Sequence, residues 1–206
     1  MADRHDRVAP QPADPSARSA RGARTRRRIA EADLCLLVER ATPPTATDIA
    51  DRAGVSLRLI FHHFTDLDAV HRAAGELCVD RFRALDLEVP SDLALATRIE
   101  RTVHRRADLY ESIGNLARNA ATLGPGHPGV AAAIAHAHAV SVQLLERTFA
   151  PELRAAGRGR KEVVGSLAAA ASWQLWDQLR RTNALSVTAA RRVVVRMLQA
   201  AVAEAA

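Results

Sequence analysis

The length and composition of the chain limit the classes of protein to which it can belong. Its 206 residues suffice for one or two domains with a hydrophobic core. Aromatic residues are scarce, at 3%, and the apolar residues are largely Ala, Leu and Val, so we predict an all-α protein and no β-sandwich. The net charge of +6 suits a nucleic-acid partner, although basic charge alone is nonspecific.

Residues 1–22 are predicted to be a disordered basic tail. They mix Pro, Ala, Ser, Asp and Arg without hydrophobic periodicity and lack the apolar core of a signal peptide. No apolar stretch has the length that a membrane-spanning helix needs, so we expect a cytoplasmic protein without a membrane partner. The arginine cluster at the end of the tail either contacts DNA or only solubilises the chain: Arg18, Arg21, Arg24, Arg26, Arg27 and Arg28.

The next segments predict three helices joined by tight turns. A first helix is expected from Thr25 to about Arg40, where apolar residues recur at helical spacing. Thr45 followed by Asp48 resembles a capping box, Gly54 can adopt the left-handed conformation that ends a helix, and Ser56 can cap another. Two short helices joined by such a turn form a helix-turn-helix, whose second helix enters the DNA major groove.

The pattern Thr45-x-x-Asp48-Ile49-Ala50-x-x-Ala53-Gly54-Val55-Ser56, followed by Phe61-His62-His63-Phe64, resembles the N-terminal domain of the TetR family of bacterial transcriptional regulators. The resemblance covers residues 24–75. It implies an all-α homodimer with an N-terminal three-helix helix-turn-helix domain at 23–70 and a C-terminal helical ligand-binding and dimerisation domain at 71–206. It also implies that the following residues contact DNA: Arg24, Arg26, Thr45, Thr47, Ser56, Leu57, Arg58, Leu59, Phe61, His62 and His63.

Some positions depart from the pattern of the family. Arg58 and Leu59 stand where members commonly have a small residue followed by Thr or Ser. Arg58 either binds a guanine edge with two hydrogen bonds or is a solvated surface residue. Phe61 replaces a common tyrosine whose hydroxyl contacts phosphate, and Leu67 stands where a lysine is typical. Neither of these two side chains can make the phosphate contact of the family.

The rest of the chain is predicted to form further helices. A fourth helix is expected to continue to about Asp86, followed by helices over residues 95–107, 108–122 and 130–149, and by a connector over 151–160. The last two helices carry apolar stripes that either form a four-helix interface between two protomers or pack only within one: Val164, Leu167, Ala168, Ala171, Leu175 and Leu179, then Val187, Ala190, Val194, Met197, Leu198 and Ala201.

An effector pocket is predicted among the small residues of the C-terminal helices. Its candidate residues are an apolar set with a few polar anchors: His104, Tyr110, His138, Trp173 and Trp176. The two tryptophans are three residues apart and share one helix face, so core or dimer packing explains them at least as well as ligand contact. The chemistry of the effector cannot be read from these residues.

No motif for catalysis or metal binding is apparent. Cys35 and Cys78 are expected to be buried small hydrophobic residues in the first and fourth helices. His136 and His138 are two residues apart, which places them on different faces of a helix. The sequence also has no glycine-rich phosphate loop or nucleophile elbow, so we expect no cofactor, no metal and no enzymatic activity.

These observations predict a ligand-responsive transcriptional regulator, a repressor that binds a pseudo-palindromic operator in double-stranded DNA as a homodimer. One alternative is a small-molecule sensor or interaction protein of the same fold with weakened specific DNA binding, which Phe61 and Leu67 motivate. The other is a small helical enzyme that uses His104, His138 or glutamates of the C-terminal domain.

Overall fold

The computed structural model of the chain describes residues 15–84 and 87–203. Within these ranges the chain forms helices and turns and no strand, which confirms the all-α prediction. A 3₁₀ turn lies at Gly124–Gly126, another at Gly157–Gly159, and a π-helical segment at Gln178–Thr182. The α-helices are α1 (Pro15–Glu39), α2 (Ala46–Ala53), α3 (Leu57–His63), α4 (Leu67–Ala84), α5 (Leu95–Ser112), α6 (Gly114–Leu123), α7 (Pro128–Thr148), α8 (Ala150–Ala155), α9 (Arg160–Ala170), α10 (Trp173–Asp177) and α11 (Val187–Ala203).

Helix α1 begins at Pro15, ten residues before the predicted start at Thr25. Residues 15–22 are therefore helical and not part of a disordered tail, whereas residues 1–14 lie outside the described residues. The extra turns are rich in Ala and Arg, which have high helix propensity, and Pro is tolerated in the first turn of a helix. The intrinsic helix propensity of these residues thus extends α1 beyond the segment whose apolar residues recur at helical spacing.

Several boundaries in the C-terminal half differ from the sequence prediction. α5 continues to Ser112, so the break falls at Ile113 and not near residue 107. The expected connector over 151–160 contains α8. The helix expected over 164–179 is interrupted: α9 ends at Ala170, and the hydroxyl of Ser172 accepts a hydrogen bond from the amide of Leu175 to begin α10. This interruption leaves the carbonyl of Ala171 free to bind side chains of α5.

The N-terminal helices α1 to α4 share one apolar core. Ile29, Ile49, Ile60 and Val70 are completely buried in it, and Phe64 is 2% exposed. Ile60 and Phe64 are therefore core residues of this part of the chain. This core holds the short α2 and α3 against α1, because helices of this length are not stable alone in water.

The C-terminal core is larger and is built from α5, α7, α8, α9, α10 and α11. Phe149, Leu153, Leu167 and Leu198 are fully buried there. Most of the two apolar stripes predicted for the last helices pack into this core: Leu167, Ala171, Leu179, Ala190, Val194, Leu198 and Ala201. Val164 and Ala168 are half-buried, and Met197 is 40% exposed.

Helices α4 and α7 approach each other closely at two glycines. A Cβ atom at Gly75 would lie 2.7 Å from the Cβ of Ala133, and one at Gly129 would lie 2.8 Å from the Cβ of Arg72. The amide of Gly129 also donates to Asp68 Oδ2 at 3.2 Å. The absence of a side chain at these glycines therefore allows α7 to pack on the helix that leaves the N-terminal domain.

Two further expectations require correction. Cys35 is exposed and Cys78 is half-buried, because α1 and α4 turn these positions away from the centre of the core.

In the described part of the chain, α7 is long and apolar enough to cross a membrane, judged by length and composition alone. Its mean hydropathy is 1.3, and 22% of its most apolar window is buried. The sequence had been expected to contain no such stretch.

Candidate DNA interface and effector region

The two helices of the helix-turn-helix are fixed by local hydrogen bonds at their ends. Thr45 Oγ1 accepts from the amide of Asp48 at 3.2 Å, and Asp48 Oδ2 accepts from the amide of Thr45 at 2.8 Å, so the predicted capping box is present. Gly54 has the left-handed φ of 62° that ends α2. Ser56 Oγ accepts from the amide of Leu59 at 3.2 Å and begins α3.

Ion pairs attach α2 to the end of α1. Arg52 donates to both carboxylate oxygens of Glu39 at 3.0 and 2.6 Å. Arg40 Nη1 lies 2.7 Å from Asp48 Oδ1. Hydrogen bonds from Thr45 and Arg40 hold the pKa of Asp48 well below its ordinary value, so this carboxylate remains charged at any pH near neutrality. The orientation of the capping box relative to α1 is thereby fixed.

Helix α3 presents one face to solvent. Leu57 and Phe61 are 43% and 47% exposed, and Arg58 and His62 on the same helix are exposed as well. Leu59 is half-buried. Thr45, Thr47 and Ser56 are exposed as well. The structure therefore exposes on one face of α3 four of the residues that the resemblance assigns to DNA, namely Leu57, Arg58, Phe61 and His62.

Arg26 was predicted to contact DNA as part of the arginine cluster, but in the structure its guanidinium group contacts the end of α3. Its Nη1 donates to the carbonyl oxygen of His63, and its guanidinium carbon lies 4.1 Å from the centroid of the Phe64 ring. Positive charge at the C-terminus of α3 is favourable because the last carbonyl groups of a helix lack partners. Arg26 thus stabilises the end of the exposed helix, while Arg24 and Arg28 lie exposed on α1.

The two adjacent histidines at the end of α3 differ in environment. His62 is exposed, and His63 is half-buried with its ring 5.3 Å from that of His62. Burial, assisted by the positive charges of His62 and Arg26, holds the pKa of His63 below its ordinary value. In the protein without DNA, the neutral form of His63 is therefore favoured at neutral pH.

The candidate effector residues fall into two groups. The Tyr110 and Trp173 rings meet edge to face with centroids 5.8 Å apart, and Trp176 is buried nearby with its Nε1 donating to Glu111 at 2.9 Å. His104 and His138 are exposed, on α5 and α7 respectively, and do not join this cluster. Among the described residues, no group of three or more His, Cys, Asp or Glu side chains could hold a metal ion.

Sequence reasoning missed Arg106 and Thr102 in the candidate effector region. Arg106 is 6% exposed and donates to Ser141 Oγ at 2.7 Å, and Thr102 is 4% exposed one turn before it on α5. The spacing Thr102, Arg106, Tyr110 repeats every fourth residue, beside the apolar Ile99, Val103 and Ala107. This spacing is the signal that could have placed a buried arginine on the inner face of α5.

Helix α6 connects the effector region with the end of α1. Asn119, 1% exposed, donates from Nδ2 to the carbonyl oxygens of Leu37 and Arg40, both at 3.0 Å. On the same helix, Arg118 Nη1 donates to Asp177 Oδ1 of α10 at 2.8 Å. Helix α6 therefore contacts both α10 and the C-terminal end of α1 through adjacent residues.

Comparison with known proteins identifies the fold. A scan against models of protein families and a search of curated proteins both gave no match. A transcriptional regulator from Rhodococcus sp. Rha1 is similar in structure, with a TM-score of 0.68 and 18% identity, over 85% of this chain and 94% of that one. A protein assigned to the TetR family of transcriptional regulators from Mesorhizobium loti MAFF303099 has a TM-score of 0.64 and 16% identity, over 89% and 97%.

Proposed function

We propose that this chain, whose fold is that of TetR-family transcriptional regulators, is a homodimeric DNA-binding repressor whose operator affinity is controlled by a small molecule. The N-terminal domain, residues 23–70, would bind DNA, and residues 71–206 would bind the effector and a second protomer. Together the two protomers would recognise a pseudo-palindromic operator.

The observation that carries the proposal is the exposed face of α3. Large hydrophobic side chains exposed in the described residues are Leu57, Phe61, Ile134 and Met197, so two of them lie on this one short helix. Arg58 lies between them, next to the capped N-terminus of α3. An apolar surface with a central arginine suits the major groove, where apolar groups contact thymine methyl groups and arginine binds guanine.

The dimer is supported by the outer faces of α9 and α11, which pack side by side. These faces carry Gly165 and Ala169 on α9 and Met197 and Ala200 on α11, all exposed in the protomer. Small residues allow two helix pairs to approach closely in a symmetric four-helix interface. Each recognition helix would then meet one of two major grooves about 34 Å apart.

Regulation is proposed to act through α6. A ligand that binds better when α10 is displaced would move Asp177, and with it Arg118 and Asn119. Since Asn119 holds the C-terminal end of α1, the spacing of the two α3 helices would change. Only differential affinity for the two arrangements shifts their populations, so a ligand that binds both equally would not regulate the protein.

The first experiment is selection of bound fragments of the source genome by the full chain at moderate salt, followed by footprinting of the enriched fragments. Protection of a pseudo-palindrome with two half-sites one helical turn apart is expected. Salt-sensitive binding without preference among fragments would contradict the proposal and favour the sensor or interaction protein, because phosphate contacts alone carry no sequence information.

A further inference from the structure

A small cavity lies in the core of the C-terminal domain, between α5, α11 and the interruption that separates α9 from α10. Its volume is about 10 Å³, the space of about one water molecule. Most of its lining is apolar and includes Val103, Ala107, Val194 and Leu198. Its polar lining residues are Thr102, Arg106, Tyr110 and Ser172.

Arg106 is held at this cavity by neutral oxygens only. Its Nη1 donates to Ser141 Oγ at 2.7 Å and to the carbonyl of Ala171 at 3.3 Å, and its Nη2 donates to the carbonyl of Ser141 at 3.1 Å. The hydroxyl of Tyr110 lies 3.4 Å from Nη1. Within the described part of the chain, none of its hydrogen-bond partners is a carboxylate, so its positive charge is buried without an opposite charge.

Another buried arginine of the same helix shows the contrast. Arg98 is 4% exposed, and its two terminal nitrogens donate to the two carboxylate oxygens of Glu152 at 2.7 and 2.6 Å. Arg98 and Arg106 lie eight residues apart on α5, in the same core. Arg98 has the bidentate carboxylate partner that guanidinium groups prefer, whereas the guanidinium group of Arg106 lies next to a cavity.

A second polar group at the cavity has no partner. Thr102 Oγ1 is buried and makes no hydrogen bond within the described residues. Buried hydroxyl groups are nearly always paired, because an unpaired one loses its hydration without replacement. Thr102 and Arg106 are one helical turn apart on α5 and line the same cavity, so one anionic group between them would satisfy both.

We propose that the effector of this protein is an organic monocarboxylate, whose carboxylate binds Arg106 and Thr102. The proposal rests on the regulator function proposed above and names the chemical class of its ligand. A single guanidinium and a hydroxyl match one carboxylate, and the apolar lining matches a hydrocarbon body and not the polar oxygens of a phosphate.

The ligand body requires a larger space than the cavity offers. The opening would occur at the interruption at Ala171 and Ser172, where the carbonyl of Ala171 accepts hydrogen bonds from side chains of α5. Displacing it would move α10 and Asp177, the partner of Arg118 on α6. Binding of the carboxylate would thus affect α6, whose Asn119 binds the C-terminal end of α1.

The test is calorimetric titration of the full chain, without DNA, with sodium benzoate and sodium hexanoate. Benzamide and hexanamide are the neutral controls with the same carbon skeletons, and sodium phosphate tests an anion without an apolar body. All titrations are made at equal ionic strength. Saturable binding of at least one carboxylate, with weaker binding of its amide and of phosphate, is expected.

Variants distinguish a binding arginine from a structural one. Arg106→Met is expected to weaken the carboxylate by roughly 10- to 100-fold, the range for a hydrogen bond to a charged group, and Thr102→Val by a smaller factor. The free Arg106→Met protein should be as stable as the parent, because an unpaired buried charge has been removed. Arg101→Gln, exposed on the same helix, should bind as the parent does.

Thr102→Val nearly preserves the size of the side chain. If Arg106→Met does not fold, this variant alone tests whether the carboxylate binds at the cavity. Equal binding of acids and amides, phosphate binding as tight as carboxylate binding, unchanged affinity in both variants, or no saturable binding of either carboxylate would each overturn the proposal. Operator selection without carboxylate tests the regulator function separately. If selection fails while carboxylate binding depends on Arg106, the regulator function is wrong and the carboxylate site stands.

Discussion

Asp33 of α1 and His71 of α4 form a buried pair, with Asp33 Oδ2 2.8 Å from His71 Nδ1. The side chains are 0% and 1% exposed, respectively. Burial raises the pKa of Asp33, and the hydrogen bond and charge of His71 oppose this rise without cancelling it. The pair joins α1 of the N-terminal core to α4, which also packs on α7.

Asp33→Ala is expected to lower the free energy of unfolding by about 3 kcal/mol, because it leaves the imidazole of His71 buried without its partner. Asp33→Asn retains an acceptor for His71 and should cost less. Asp51→Ala on α2 removes a carboxylate from an exposed position and should change stability by about 0.5 kcal/mol or less. Urea unfolding at pH 7 measures all three, and equal losses for Asp33→Ala and Asp51→Ala would contradict the structural role of the pair.

The ion pair of Arg98 and Glu152 predicts a dependence of stability on pH. Burial raises the pKa of Glu152, but the hydrogen bonds and charge of Arg98 outweigh burial, and the pKa lies below its ordinary value of 4.5. A carboxyl group with a lowered folded pKa contributes its full stability above the unfolded pKa. That contribution is lost as the pH falls through the folded pKa.

Glu152→Gln should therefore cost about 3 kcal/mol at pH 7, the range for breaking a buried ion pair, and progressively less below about pH 4.5. Glu88→Gln makes the same chemical change in an exposed pair with Arg147 and should cost about 0.5 kcal/mol or less at any pH. Urea unfolding between pH 7 and 4 measures the difference from the parent. A difference for Glu152→Gln that stays constant over this range would exclude the ion pair as its source.

Arg58→Ala tests base reading by α3. If Arg58 binds a guanine edge, the variant should lose about 1–3 kcal/mol of binding energy at one operator position and tolerate other bases there. If Arg24 contacts the phosphate backbone, Arg24→Ala should weaken all sequences equally and reduce the salt slope by about one. Affinities for single-base operator variants at several salt concentrations separate these results. A uniform loss with Arg58→Ala would assign it to the phosphate backbone.

Phe61→Tyr tests the departure from the pattern of the family. Phe61 is 47% exposed, so a hydroxyl on its ring reaches solvent without disturbing the core. If the backbone of DNA passes this position, the added hydrogen bond should raise affinity for all sequences by about 2- to 10-fold. Phe64→Tyr is the control, because it places a hydroxyl in the N-terminal core, where the ring is 2% exposed, and should destabilise the fold. Unchanged affinity with Phe61→Tyr would place this ring away from phosphate.

The helix-turn-helix could be predicted because its determinants are local in sequence. Thr45 and Asp48 are three residues apart, and Gly54 and Ser56 act on the helices that adjoin them. The surface of α3 followed from the same pattern. The start of α1 could not be predicted in this way, since its first turns carry helix propensity without an apolar stripe.

The hydrogen-bond partners of Arg106 could not be predicted because they are distant in sequence. Arg106 meets Ser141, 35 residues away, and Ala171, 65 residues away. His104 lies two residues before Arg106, and helical geometry turns it to the outer surface of α5. The sequence analysis chose His104 as a polar anchor, whereas the packing of α5 against α11 and α10 buries Arg106.

The proposed dimer is tested by Gly165→Arg on the outer face of α9. No atom lies within 4 Å of a Cβ added at Gly165, so the protomer should accept the side chain, whereas an interface of small residues would be obstructed by it. Sedimentation equilibrium should show a dimer for the parent and a monomer for the variant, with operator affinity reduced because the half-sites are no longer bound together. Gly126→Arg introduces the same residue at an open position in the turn before α7 and should remain dimeric. A dimeric Gly165→Arg protein would place the interface elsewhere on the C-terminal domain.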